Sequence, residues 1–125
     1  MNTENSIFLD VFGDSPLLRV LDFLVVNEDF DYSMTDIAKL SGIGYSTLKL
    51  FWDKFEKNAI VVNTREVGKA KMYKLNYSNP AVKKFRGFYW EITKYYTNFF
   101  LCEESPLVTK KAKTQKKAQD KIFKR

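Results

Sequence analysis

Residues 34–57 read MTDIAKLSGIGYSTLKLFWDKFEK, and this stretch decides the fold. Ser33 is a good N-cap, with Asp36 three residues on. The helix it opens is expected to bury Ile37, Ala38 and Leu40. Gly42 stops that helix, because glycine accepts the left-handed conformation a helix end needs. A second helix is expected from about Tyr45 to Lys57, with Leu48, Phe51, Trp52 and Phe55 on one face. Ala38 is small where the two helices approach, Ile43 plugs the angle between them, and Leu48 packs underneath. This combination predicts a helix-turn-helix, which fixes two helices at a steep angle so that the second can enter a major groove.

The flanks extend the pattern. Upstream, Asp14-Ser15-Pro16 is a helix start. Leu17, Leu18, Val20, Leu21, Leu24 and Val25 then recur at helical spacing to about Val26. Residues 1–13 form a short leader with an apolar cluster, and Phe30 to Tyr32 suits a brief extended segment. Downstream, residues 60–64 are β-prone and residues 71–75 alternate polar and apolar. Residues 65–69, containing Gly68, interrupt them like a turn, so the two runs read as a β-hairpin. The order is three helices and a hairpin.

Asn79-Pro80 starts a further helix. Its apolar positions Ala81, Phe85, Phe88, Ile92, Tyr95, Phe99 and Cys102 step by alternate fours and threes. The stripe has more rings than one small domain needs, and exposed apolar patches of that extent mark interfaces. A two-fold dimer through Phe85, Phe88, Tyr89, Ile92, Tyr95, Tyr96 and Phe99 is therefore expected. The competing arrangement folds this helix back beside the first helix and the leader.

Composition narrows the function classes. The chain has 125 residues, 45% of them hydrophobic and 16% aromatic, which suits one folded unit. Its net charge of +6 is uneven. Lys110, Lys111, Lys113, Lys116, Lys117, Lys121, Lys124 and Arg125 face only Asp120 in residues 105–125, giving +7 there and −1 for the rest. That segment reads as a basic, disordered tail suited to a polyanion. With no histidine and Cys102 alone, histidine triads, cysteine-histidine metal sites and intrachain disulfides are excluded. No phosphate-binding glycine loop follows Gly42-Ile43-Gly44. No catalytic residue, metal or cofactor is expected, and the chain is not expected to be an enzyme. No stretch is apolar enough to span a bilayer, so a cytoplasmic, nucleoid-associated protein without a membrane partner is expected.

On these residues a resemblance can be named. IAKLSGIGYSTLKLFWDKFEKNAIV resembles the two-helix unit and following strand of MarR-like and ArsR-like prokaryotic regulators. TREVGKAKMYKL resembles the wing seen in archaeal members. The resemblance implies a mainly α fold with a small β-hairpin wing: a winged helix-turn-helix over residues 14–77, followed by a long C-terminal dimerisation helix over 78–104. It implies double-stranded DNA and a second copy of the chain as partners. The groove-facing positions would be Gly44, Tyr45, Ser46, Thr47, Lys49, Leu50 and Lys54, and the wing contacts Arg65, Lys69 and Lys71. Leu50 departs from the pattern, standing where many relatives place a basic or polar residue. It suits either a thymine methyl or internal packing, and Asp53 lies near the groove side.

The resemblance implies a sequence-specific, homodimeric transcriptional regulator. Two other jobs fit the same residues: a DNA-coating protein of chromosome architecture or plasmid maintenance, and a protein-interaction winged helix. Ser46 and Thr47 also suit a plain capping role for their helix, and the lysines an ordinary solvated face.

Overall fold

The computed structural model describes residues 5–102; the basic tail expected over 105–125 lies outside the described residues. Within them the elements run α1 (Ile7–Phe12), α2 (Pro16–Val26), β1 (Tyr32–Ser33), α3 (Met34–Ser41), α4 (Tyr45–Lys57), β2 (Val61–Val67), β3 (Ala70–Leu75) and α5 (Pro80–Cys102).

Local chemistry accounts for the helix starts. The Ser15 hydroxyl accepts from the Leu18 amide at 3.3 Å, and the Ser33 hydroxyl from that of Asp36 at 3.2 Å. Asn79 Oδ1 accepts from the Ala81 amide at 3.0 Å while Asn79 Nδ2 donates to the Ala59 carbonyl at 3.0 Å. Asn79 therefore both opens α5 and ties it to the loop after α4.

The turn between α3 and α4 forms as expected. Gly42 is left-handed at φ 74, and the Ile43 amide reaches back to the Ala38 carbonyl at 3.0 Å. Arg19 of α2 locks the turn from outside. Its Nη1 donates to the Gly42 carbonyl at 3.1 Å, while Nε and Nη2 hold Asp14.

One detail of α3 departs from expectation. Leu40 is 57% exposed and Ser41 is buried in its place. About 3.6 residues make a turn, so the position four after Ile37 falls on the inward face beside Ala38, and the position three after it swings outward.

The three strands form one antiparallel sheet in the order β1-β3-β2. Tyr32 pairs with Tyr73 and Ser33 with Met72, which joins the start of α3 to the hairpin. The strands of the hairpin are longer than expected. Residues 65–67, which the sequence pattern assigns to the turn, belong to β2, and Val67 pairs with Ala70. Only Gly68 and Lys69 make the connection, with Gly68 at φ 63. A glycine leading a two-residue loop matches the twist of the flanking strands.

Val20, Val25, Ile37 and Leu48 are wholly buried, joined by Trp52 and Tyr73. The Trp52 and Tyr73 rings meet edge to face at 5.1 Å, which fastens α4 to the sheet.

The leader is not a loose arm: it is α1, with Phe8 and Leu9 buried in the core. Phe8 packs on Phe85 at 5.8 Å and on Tyr89 at 5.1 Å, both from α5. This corrects one dimer residue. Tyr89 is 2% exposed, and its hydroxyl donates to Asp22 at 2.6 Å, sharing that carboxylate oxygen with Ser6. Burial, with Asp22 accepting a hydrogen bond from it, pushes the Tyr89 hydroxyl well above the usual tyrosine range. Tyr89 thus belongs to its own protomer, and Phe85 is half covered by α1. A second carboxylate braces α5: Glu28 accepts from Arg86 at 2.7 Å and from the Tyr77 hydroxyl.

Gly42→Ala is expected to lower the free energy of unfolding by about 1–2 kcal/mol, since an alanine must hold the left-handed conformation there. Its Cβ would also lie 2.9 Å from Arg19 Nη1. Urea denaturation of the two proteins checks this.

Candidate nucleic-acid interface

Helix α4 has one buried and one outward face. Leu48, Trp52 and Phe55 form the buried seam. At about 100° per residue, the opposite side has a centre and two margins. Ser46, Leu50, Asp53 and Lys57 run along the centre, Lys49 lies at one margin and Lys54 at the other. All six are exposed. Leu50 is 81% exposed, which excludes the internal packing left open by its sequence. Tyr45, 46% exposed, opens the helix, and the Lys49 ammonium sits 5.6 Å from its ring centre.

The N-terminus of α4 is built for exposure. Gly44 is the N-cap at φ −72, and no side chain caps the helix. A capping role for Ser46 and Thr47 is therefore overturned: they lie inside the first turn, past the cap position. Gly44 and Ser46 are exposed and Thr47 half-exposed. This end also carries uncapped backbone amides and a partial positive charge that favours anions.

The hairpin treats its three candidate cations differently. Lys69 at the tip and Lys71 on β3 are exposed. Arg65 is held instead. Its Nε and Nη2 donate to Asp31 at 2.9 and 3.1 Å, and the Thr64 hydroxyl donates to the same carboxylate at 2.5 Å. The pairing shifts between Asn63 and Arg65, which puts Thr64 in a bulge. Arg65 thus differs from the two lysines in having a partner: it crosses 34 positions of sequence to brace the hairpin against the segment before β1, while its side chain stays 63% exposed. Nothing local in either segment announces that pair, and the same holds for Arg19 and Gly42.

A packed hairpin follows directly after the second helix of the helix-turn-helix. The chain has the winged helix-turn-helix fold. Structure comparison agrees. MepR, a transcription regulator of the Staphylococcus aureus multidrug efflux pump MepA, matches with a TM-score of 0.57 at 13% identity, over 92% of this chain and 83% of MepR. The adhesin competence repressor AdcR from Streptococcus pyogenes matches at 0.54 and 13% identity, over 84% of this chain and 78% of AdcR. The homodimeric winged helix-turn-helix DNA-binding domain of Mb0332 from Mycobacterium bovis matches at 0.50 and 15% identity, over 73% and 79%. No protein-family model matches, and no curated protein does. The likeness to winged-helix regulators expected from sequence thus holds for the fold.

Among the described residues, no group of three or more carboxylates and cysteines is placed to hold a metal ion. No helix among them is long and apolar enough to cross a membrane.

The winged helix holds Asp31 as a carboxylate. The Arg65 guanidinium beside it, helped by the Thr64 hydroxyl, pulls its pKa down to about 2. The pair is therefore complete at any pH above the ordinary carboxylate range and is lost only as pH falls through about 2. A carboxyl-carbon NMR titration should find that midpoint, and Arg65→Ala should move it back up towards ordinary aspartate. A wild-type midpoint near 4 would mean the clamp does not form in solution.

Proposed function

We propose that this winged helix is a homodimeric, sequence-specific double-stranded DNA-binding protein that regulates transcription, with α4 in the major groove and the hairpin tip on the backbone or minor groove. The observation that carries the reading is the outward side of α4: its N-terminus is uncapped, and Lys49 and Lys54 flank an exposed face that lies opposite the seam anchoring the helix. Gly44, Tyr45, Ser46, Thr47, Lys49, Leu50 and Lys54 are the proposed groove contacts, and Lys69 and Lys71 the wing contacts. Arg65, braced by Asp31 yet exposed, is a third wing contact, through the N–H groups that Asp31 does not take. The solved winged helices described above as regulators, and the homodimeric DNA-binding domain among them, support the reading by analogy of fold.

The proposed self-association uses what α1 leaves uncovered on α5. Phe88 is 49% exposed, and Phe12 of α1, 47% exposed, lies against it at 5.7 Å. Ile92 and Tyr95 continue this surface, half-exposed, with Tyr96 and Phe99 further along the helix. Trp90, two residues on from Phe88, points to another side of α5 and lies outside this patch. Two copies paired here would present two α4 helices for major grooves about 34 Å apart. Such a protein works in the cytoplasm, on the nucleoid. The eight basic residues of 105–125 would add attraction to phosphate that is blind to sequence.

One feature favours a second reading, a protein that coats DNA. Asp53 sits on the face of α4 and Asp31 neutralises Arg65, so the folded part has few cations to spend on base edges.

Selection of bound duplexes from a random pool separates the two. A two-fold-symmetric enriched site is expected, and enrichment of no site would favour coating. Removing residues 109–125 should weaken binding to all duplexes alike. It should also flatten the dependence of log K on log salt by about 0.9 for each phosphate that the shortened chain leaves unneutralised. Phe88→Glu with Tyr95→Glu should give a monomer by sedimentation, with an unchanged circular dichroism spectrum. A persisting dimer would move the interface elsewhere.

A further inference from the structure

The middle of the α4 face, Leu50 and Asp53 between Ser46 and Lys57, carries the wrong chemistry for phosphate and the right chemistry for the groove floor. Lys49 and Lys54, at the two margins, suit the phosphates on either wall. Between them stand Asp53, whose carboxylate repels phosphate, and Leu50, which neither donates nor accepts a hydrogen bond. Leu50 is also the most exposed large hydrophobic side chain among the described residues, at 81%. In the major groove the one apolar group on a base edge is the C5 methyl of thymine.

Resting on the DNA-binding reading above, we infer that Leu50 is a specificity-determining residue that covers a thymine methyl. Each winged helix then prefers thymine under the middle of α4. The lysine margins argue for this occupant, since they match a polyanion on both sides of the apolar tip. Ser46, one turn earlier on the same line, can bond the neighbouring base or phosphate without competing for the methyl. Asp53, one turn later, can accept from a cytosine amino group.

The test uses the full chain and labelled duplexes of alternating dA and dT, compared at one salt concentration with the same duplexes carrying dU for dT. The exchange removes only the methyl groups. The wild-type chain is expected to bind the dT duplex about fourfold more tightly for each methyl covered. Leu50→Ala should bind both duplexes equally, and Leu50→Met should keep most of the preference. Equal binding by the wild type overturns the assignment and points to a protein partner for Leu50. A preference that survives in Leu50→Ala also overturns it, because another group would then be reading the methyl. Failure to bind any duplex is a different result: it removes the DNA-binding reading itself.

Discussion

The angle of α4 hangs on a single left-handed residue. Gly42 turns the chain at φ 74, the Ile43 amide closes the turn on Ala38, and Arg19 clamps the Gly42 carbonyl while holding Asp14. Without that reversal Leu48 and Trp52 would not reach the core, and the row from Ser46 to Lys57 would not face outward together. One guanidinium thus links the start of α2 to the turn that aims α4. A helix whose exposed face is to meet another molecule has to be immobile on its buried face, and here the turn and the Trp52–Tyr73 contact provide this from two ends.

The same logic extends to α5. Two carboxylates from the α2 region hold α5: Asp22 receives Tyr89 together with Ser6 of the N-terminal segment, and Glu28 receives Tyr77 and Arg86. Arg86 holds the Glu28 carboxyl below its usual range, with Tyr77 adding to this. These contacts tie the first turns of α5 to the body. In the proposed dimer that bracing would set how the two reading faces are spaced, because α5 would be the part shared between copies.

The distribution of charge has a structural cause. Of the cations in the described part, three arginines, Arg19, Arg65 and Arg86, are engaged in ion pairs within the chain. Arg19, Arg65 and Arg86 serve architecture, where a planar fork grips a carboxylate in two places. The exposed lysines are left for solvent or a polyanion. With a net charge of −1 outside residues 105–125, the folded part has few cations to begin with, and this division leaves fewer still for base edges.

Much of this is legible in the order of residues. Ser15, Ser33, Gly42 and Pro80 mark helix ends by local hydrogen bonding and backbone sterics, which act within a few residues. The spacing of Leu48, Trp52 and Phe55 declares a buried seam for the same local reason. Leu40 and Tyr89 run against their sequence pattern because an apolar side chain does not announce which neighbour covers it. Leu40 swings outward by helical phase, and Tyr89 meets Phe8 and Asp22 from distant segments. The bracing of Arg65 by Asp31, and of the turn by Arg19, joins residues far apart in sequence, and no local pattern encodes such a pair. The sequence by itself determined the elements and the helix-turn-helix, since these follow from short-range periodicity and capping. Only the tertiary structure decided which cations stand free, which rings remain uncovered and that Leu50 points outward, because those depend on what the fold brings alongside.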